Sequence, residues 1–118
     1  MKIAIPVDET KNAVCVSFGR APYFLFYDTQ SGASDLAVNP AAEAEGGAGP
    51  KAAQFIVDSG TAVVLTPRCG ENAGNVLQAA EIAVFKSVGT SIEENLTAFQ
   101  EKKLEELTSF HAGFHGHQ

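Results

Sequence analysis

The residues equipped for chemistry in this sequence are few and clustered. There are only two arginines, and each lies beside glycine in turn-like sequence: Arg20 in Phe18-Gly19-Arg20-Ala21-Pro22 and Arg68 in Pro67-Arg68-Cys69-Gly70. A third cation, Lys51, directly follows Gly46-Gly47-Ala48-Gly49-Pro50. Glycine at 46, 47 and 49 lets a backbone approach a ligand closely. A helix opening after that stretch, or after Gly70, would offer free N–H groups and the positive end of its dipole. Together these residues suit the capture of an anion, although they also read as turn glycines and solvated cations. Neither a Gly-Lys-Ser/Thr phosphate loop nor a dinucleotide fingerprint after the first strand is present, so nucleotide binding is disfavoured.

The remaining candidates are soft or acidic. Cys69 precedes a predicted helix start, where the dipole and Arg68 would favour a thiolate and make it a metal ligand; it reads equally as a small buried filler. Cys15, between Val14 and Val16, reads more readily as filler. Neither belongs to a C-x-x-C pair, so no self-contained zinc or iron–sulfur site is written here. All three histidines, His111, His115 and His117, fall in the last eight residues, where they could chelate copper, zinc or nickel or simply end a solubilising tail. Asp8, Asp28 and Asp58 are expected at separate ends of their elements rather than converging on a metal pair. No Ser–His–Asp arrangement is available. The expectation is therefore a protein that is not an enzyme.

Composition narrows the classes further. Eight basic against fourteen acidic residues in 118 give a net charge of −6, which disfavours nucleic acid and anionic membranes as partners. With 45% hydrophobic residues the chain can bury a core, and no apolar run approaches the roughly 20 residues of a membrane span. Met1-Lys2-Ile3-Ala4-Ile5-Pro6 is too short and too soon interrupted for a signal peptide. Two cysteines make no disulfide framework, so a reduced, cytoplasmic protein is expected.

Elements must position these residues. Lys2 to Val7 alternates as a strand, with pairing expected to fade at Pro6. Pro22 to Asp28 reads as a strand buried on both faces, Gln30-Ser31-Gly32 as a hairpin turn, and Ser34 to Val38 as a weaker strand. Ala41 to Gly49 reads as a mobile loop, and a helix is predicted from Pro50 to Ser59-Gly60. Thr61 to Thr66 is a buried parallel-type strand, Glu71 to Ala80 a helix, and Ile82 to Phe85 a fifth strand. Ser91 and Glu94 cap a last helix predicted to run as far as Leu104 and Leu107. The order predicts one α/β domain over 1–108, with a flexible histidine-containing tail at 109–118. Its sheet would be mixed and five-stranded, three antiparallel strands then two parallel, with helices on both faces. The Phe18–Pro22 turn, the glycine stretch and the Arg68 turn would then share the edge at the strands' carboxyl ends, where open α/β sheets bind ligands.

Met1-Lys2-Ile3-Ala4-Ile5-Pro6-Val7-Asp8, Phe18-Gly19-Arg20-Ala21-Pro22-Tyr23-Phe24, Asn39-Pro40, the Gly-Gly-Ala-Gly stretch and Gly70-Glu71-Asn72-Ala73 occur in that order. In them the chain resembles the dinitrogenase iron–molybdenum cofactor biosynthesis family from Met1 to about Leu107, and within it the orange-protein branch. The resemblance implies a ribonuclease-H-like sandwich and a non-catalytic carrier for an anionic molybdenum–copper sulfide cluster, with a protein partner for cluster delivery. Phe18, Gly19, Arg20, Gly46, Gly47, Gly49, Lys51, Arg68 and Gly70 form the candidate cluster-binding set. Cys69, His111, His115 and His117 are the candidate metal ligands. Ser17 stands where members of the family commonly have histidine, so Cys69 or electrostatic capture must carry more of the binding. The alternative is a metal-free regulatory or protein-interaction module on the same fold.

Overall fold

The computed structural model describes residues 1–107; the boundary at 108 and the tail with its histidines lie outside the described residues. The elements are β1 (Lys2–Val7), β2 (Tyr23–Asp28), β3 (Ser34–Val38), α1 (Ala48–Asp58), β4 (Val63–Thr66), α2 (Glu71–Ala79), β5 (Ala83–Lys86) and α3 (Ile92–Gln100). The strands form one sheet in the order β3-β2-β1-β4-β5. The first three strands pair antiparallel, and β1, β4 and β5 pair parallel. This is the mixed sheet that the sequence predicts.

Sequence pattern explains the layers. Alternate residues of a strand face opposite sides. Ala4, Phe24, Phe26, Val64 and Val84 meet Ala52, Ala53 and Ile56 of α1 and Ala73 and Leu77 of α2. Ile3, Ile5, Val63 and Leu65 meet Ile92, Leu96 and Phe99 of α3 on the other face. Strand β1 is therefore covered on both sides, and Ile3, Ile5 and Val7 are fully buried. Strand β2 is not: Phe24 and Phe26 are buried, while Tyr23, Leu25 and Tyr27 are only half-buried. A nine-residue α3, roughly 14 Å long, cannot cover the whole sheet. Pairing at Pro6 changes partner on the side away from β2, where Pro6 O accepts from Cys15 N–H at 2.8 Å beside a Val7–Val14 bridge. Pro6 keeps its register with Phe24, whereas the β1–β4 register is confined to Ile3 and Ala4. Having no N–H, proline cannot donate toward β4.

Three local predictions shift. Helix α1 begins at Ala48, not Pro50, behind Gly47 at φ 68°. Pro50 is the third helical residue, still within the turn whose N–H groups have no intrahelical acceptor. The segment before it is not simply mobile: Ala41 is buried, and Ala42 and Ala44 N–H donate to Asn39 and Ala41 carbonyls at 3.3 and 3.1 Å. Helix α3 stops at Gln100, well short of Leu107. Lys102 turns the chain at φ 61°, and Leu107 N–H then donates to Val84 O at 2.7 Å beside an isolated Phe85–Glu106 bridge. Leu104 stays on the α3 face, while Leu107 packs on the face of α1 and α2. Among the described residues no helix is long and apolar enough to cross a membrane.

Register fixes which loops meet. Tyr23 pairs with both Val7 and Val38, and Leu65 and Thr66 pair with Phe85 and Lys86. The ends of β1, β3, β4 and β5 accordingly open at one edge.

Candidate functional site

At that edge lies an open cleft of about 650 Å³, lined by three stretches: 16–20, 47–50 and 68–73. The first is the β1–β2 loop; the second and third are the starts of α1 and α2. They meet because small residues let main chains touch. A Cβ on Gly19 would lie 2.8 Å from Gly49 Cα and N, a spacing that only glycine permits. A Cβ on Gly49 would in turn stand 3.4 Å from Ala73 Cβ.

Polar contacts fix the loops. Ser17 Oγ accepts from Arg20 N–H at 3.1 Å, closing the turn. Thr66, fully buried, donates its hydroxyl to Arg68 O at 2.9 Å and shapes the approach to α2. Behind the β1–β2 loop, Val14 N–H donates to Thr90 O at 2.9 Å. The 88–91 segment is itself held by buried Asn95, which bonds the Val88 N–H and the Val88 and Ser91 carbonyls. Phe18 is buried, with its ring centroid 5.3 Å from that of Phe24.

The helix starts are chemically distinctive. Neither α1, behind Gly47, nor α2, behind Gly70, has a side-chain cap. Helix α3, on the opposite face, has one, since Ser91 accepts from Glu94 N–H at 3.1 Å. The first-turn N–H groups of α1 and α2 have no intrahelical acceptor. They belong to Ala48 and Gly49, and to Glu71, Asn72 and Ala73, all of which line the cleft. Arg20 and Arg68 line it too and are exposed. The ion pair among the described residues is Lys103–Glu101, remote in sequence from both. Among the described residues Glu71 is the one carboxylate in the lining. Two guanidinium groups and two dipole ends thus outweigh one acidic side chain, and such an arrangement attracts anions.

Phe18, Gly19, Arg20, Gly47, Gly49, Arg68, Cys69 and Gly70 come together in this lining; Gly46 and Lys51 do not. Because α1 starts earlier than predicted, Lys51 already sits past the first-turn donors, and its N–H bonds Gly47 O at 3.1 Å. Cys69 departs from the thiolate expectation. It is 2% exposed, and burial pushes the thiol up to about 11. Cys15 is half-buried. His111, His115 and His117 lie outside the described residues, among which no group of three His, Cys, Asp or Glu converges as a metal site. Asp8, Asp28 and Asp58 bond within their own local segments, to Thr10, Gln30 and Gln54. The lining residues outside the sequence-derived candidate set are Val16, Ser17, Ala48, Pro50, Glu71, Asn72 and Ala73; the apolar pair Val14 and Val16 around Cys15 concealed the first, and the helix start after Gly70 was read only as a source of N–H donors. Asn39 was visible only as part of the Asn39-Pro40 motif.

Comparison with known proteins follows the same outline. The family described as "Dinitrogenase iron-molybdenum cofactor" matches residues 1–102. An uncharacterized protein of Methanocaldococcus jannaschii is 31% identical over 110 residues, covering 91% of this chain and 92% of the relative. The apo orange protein of Desulfovibrio gigas superposes with a TM-score of 0.85 at 28% identity, covering 92% of this chain and 93% of that one. A putative NifB protein from Thermotoga gives 0.78 at 38% identity, over 92% and 95%. The cleft-lining stretches all fall inside the matched residues, and the chain belongs to the dinitrogenase iron–molybdenum cofactor family.

Proposed function

We propose that this protein is a non-catalytic, cytoplasmic carrier for an anionic molybdenum-containing metal–sulfur cluster, a molybdenum–copper sulfide being the cargo, which it passes to a protein partner. The observation that carries this reading is the pair of helix starts without side-chain caps, opening beside Arg20 and Arg68 in one cleft. Thiometallate clusters are large anions with sulfur surfaces. The amide donors and guanidinium groups meet their charge, and exposed Val16 and half-buried Pro50 present apolar surface to weakly hydrated sulfide. An exposed ion pair contributes about 0–1 kcal/mol after screening and side-chain ordering, so the two exposed arginines act together with the amide donors in a protein whose net charge is −6.

Capture is electrostatic first. At neutral pH the Cys69 thiol is protonated, and it joins as a soft ligand only where a bound metal displaces the proton. The histidine tail is an auxiliary copper donor in the same proposal.

The test mixes protein with tetrathiomolybdate and copper, desalts, and reads the visible spectrum and metal content. Retained colour with molybdenum and copper is expected. Replacing both arginines with alanine is expected to lower retention and flatten its salt dependence. Loss of all metal on desalting would sink the carrier reading in favour of the interaction module.

A further inference from the structure

We infer that Asn39 is a positioning residue of the cleft, acting through Arg20. This inference deepens the carrier reading and rests on it for the identity of the anion. Asn39 is 2% exposed, and a buried amide must be fully bonded to be tolerated. Its two N–H bonds go to Gly19 O at 3.0 Å and Ala21 O at 2.9 Å, the carbonyls on either side of Arg20. Its oxygen accepts from Ala41 N–H at 2.9 Å. Its main chain adds two more ties: N–H to Pro22 O at 3.0 Å, and O from Ala42 N–H at 3.3 Å. Arg20 closes the circuit, since its guanidinium Nη1 donates to Ala42 O at 3.2 Å.

One neutral side chain therefore brackets the Arg20 backbone and also shapes the turn that holds the Arg20 head group. Arg68 has no such link to Asn39; its turn is fixed by Thr66. A free arginine gives up rotamer freedom when it orders on a ligand. Holding it beforehand strengthens binding without adding a contact. The Arg20 guanidinium retains donors beyond the one given to Ala42, and the cleft lies beside it.

The experiment is a double-mutant cycle on the affinity for tetrathiomolybdate plus copper, followed by visible absorbance. Asn39→Ala is expected to weaken binding about tenfold in the parent and in Arg68→Ala, with less than about twofold further loss in Arg20→Ala. Equal losses in both arginine backgrounds would show a general packing role and overturn the inference. Should Asn39→Ala fail to fold, Asn39→Ser, which adds no charge and keeps a hydroxyl acceptor for Ala41 N–H while losing both donors to Gly19 and Ala21, takes its place in the cycle. A ligand-free readout stands beside it: in the variant's nitrogen–proton NMR spectrum the Arg20 Nε–H signal moves while that of Arg68 stays. An unmoved Arg20 signal overturns the inference as well. A parent that binds no cluster defeats the carrier reading, while the ligand-free spectra still decide whether Asn39 positions Arg20.

Discussion

Gly19 and Gly70 both line the cleft, yet the structure gives a methyl group unequal consequences at the two positions. A Cβ added to Gly19 would sit 2.8 Å from Gly49 Cα and N and 3.1 Å from Ala48 C. Carbon contacts are optimal at about 3.5–4.0 Å, so the β1–β2 loop and the first turn of α1 must part by several tenths of an ångström. The obstacle is main chain, which cannot rotate aside, and overpacking of this kind costs about 1–3 kcal/mol. For a domain of this size that lowers Tm by about 4–12 °C. Gly70 has φ −70° and ψ 161°, which any residue adopts, and nothing stands within 4 Å of its Cβ position. Gly70→Ala is expected to change stability by less than about 1 kcal/mol, because the stiffer unfolded chain offsets the poorer N-cap that alanine makes for α2. Its methyl nevertheless occupies space beside the α2 donors and is expected to weaken cluster retention. Urea melts followed by circular dichroism, with the m-value as a check on two-state behaviour, separate the pair. A Gly19→Ala protein as stable as the parent would refute the close-packing argument, as would a Gly70→Ala protein destabilised equally.

Asn95→Ala removes the three hydrogen bonds that this buried side chain makes to the 88–91 segment; a loss of about 2 kcal/mol is expected in denaturant melts, with faster amide exchange at Val14. For Cys69 the sign follows from its raised thiol. The unfolded thiol ionises near 9 while the folded one holds its proton to about 11, so the unfolded state binds fewer protons in that window and stability falls as pH rises through it. Cys69→Ala is expected to lose less stability than the parent between pH 9 and 11, measured as the difference between paired melts; identical slopes would contradict the burial of the thiol. At neutral pH a thiol reagent is expected to modify Cys15 well before Cys69 in the folded protein, and quantification by mass spectrometry checks this.

The layers were legible because hydrophobic period is a local signal. Alternation in Ile3, Ile5 and Val7 and the apolar runs at Val63–Leu65 and Ala83–Phe85 specify strands without tertiary information. The helix starts were less legible. Gly47 in the left-handed region begins α1 without a side-chain cap, so the usual Ser, Thr, Asp or Asn marker is missing, and Pro50 drew the boundary two residues late. The end of α3 was misplaced because Leu104 and Leu107 continue a helical spacing. The Lys102 turn instead sends them to opposite faces of the sheet. The site was legible as a set of turns with glycine and cations. Two features were not readable: the Gly19–Gly49 contact, which joins residues thirty apart, and the desolvation that keeps Cys69 a thiol. Both depend on three-dimensional packing and leave no trace in local sequence.

The central claim is that an anionic cluster sits against the two helix starts that lack side-chain caps. Amide chemical-shift mapping on titration with tetrathiomolybdate and copper tests it most directly. The account predicts the largest shifts at Ala48, Gly49, Glu71, Asn72 and Ala73, with Ser91–Glu94 at the capped start of α3 unmoved. Cluster retained with those five amides unmoved, or with the largest shifts on the α3 face, would contradict it.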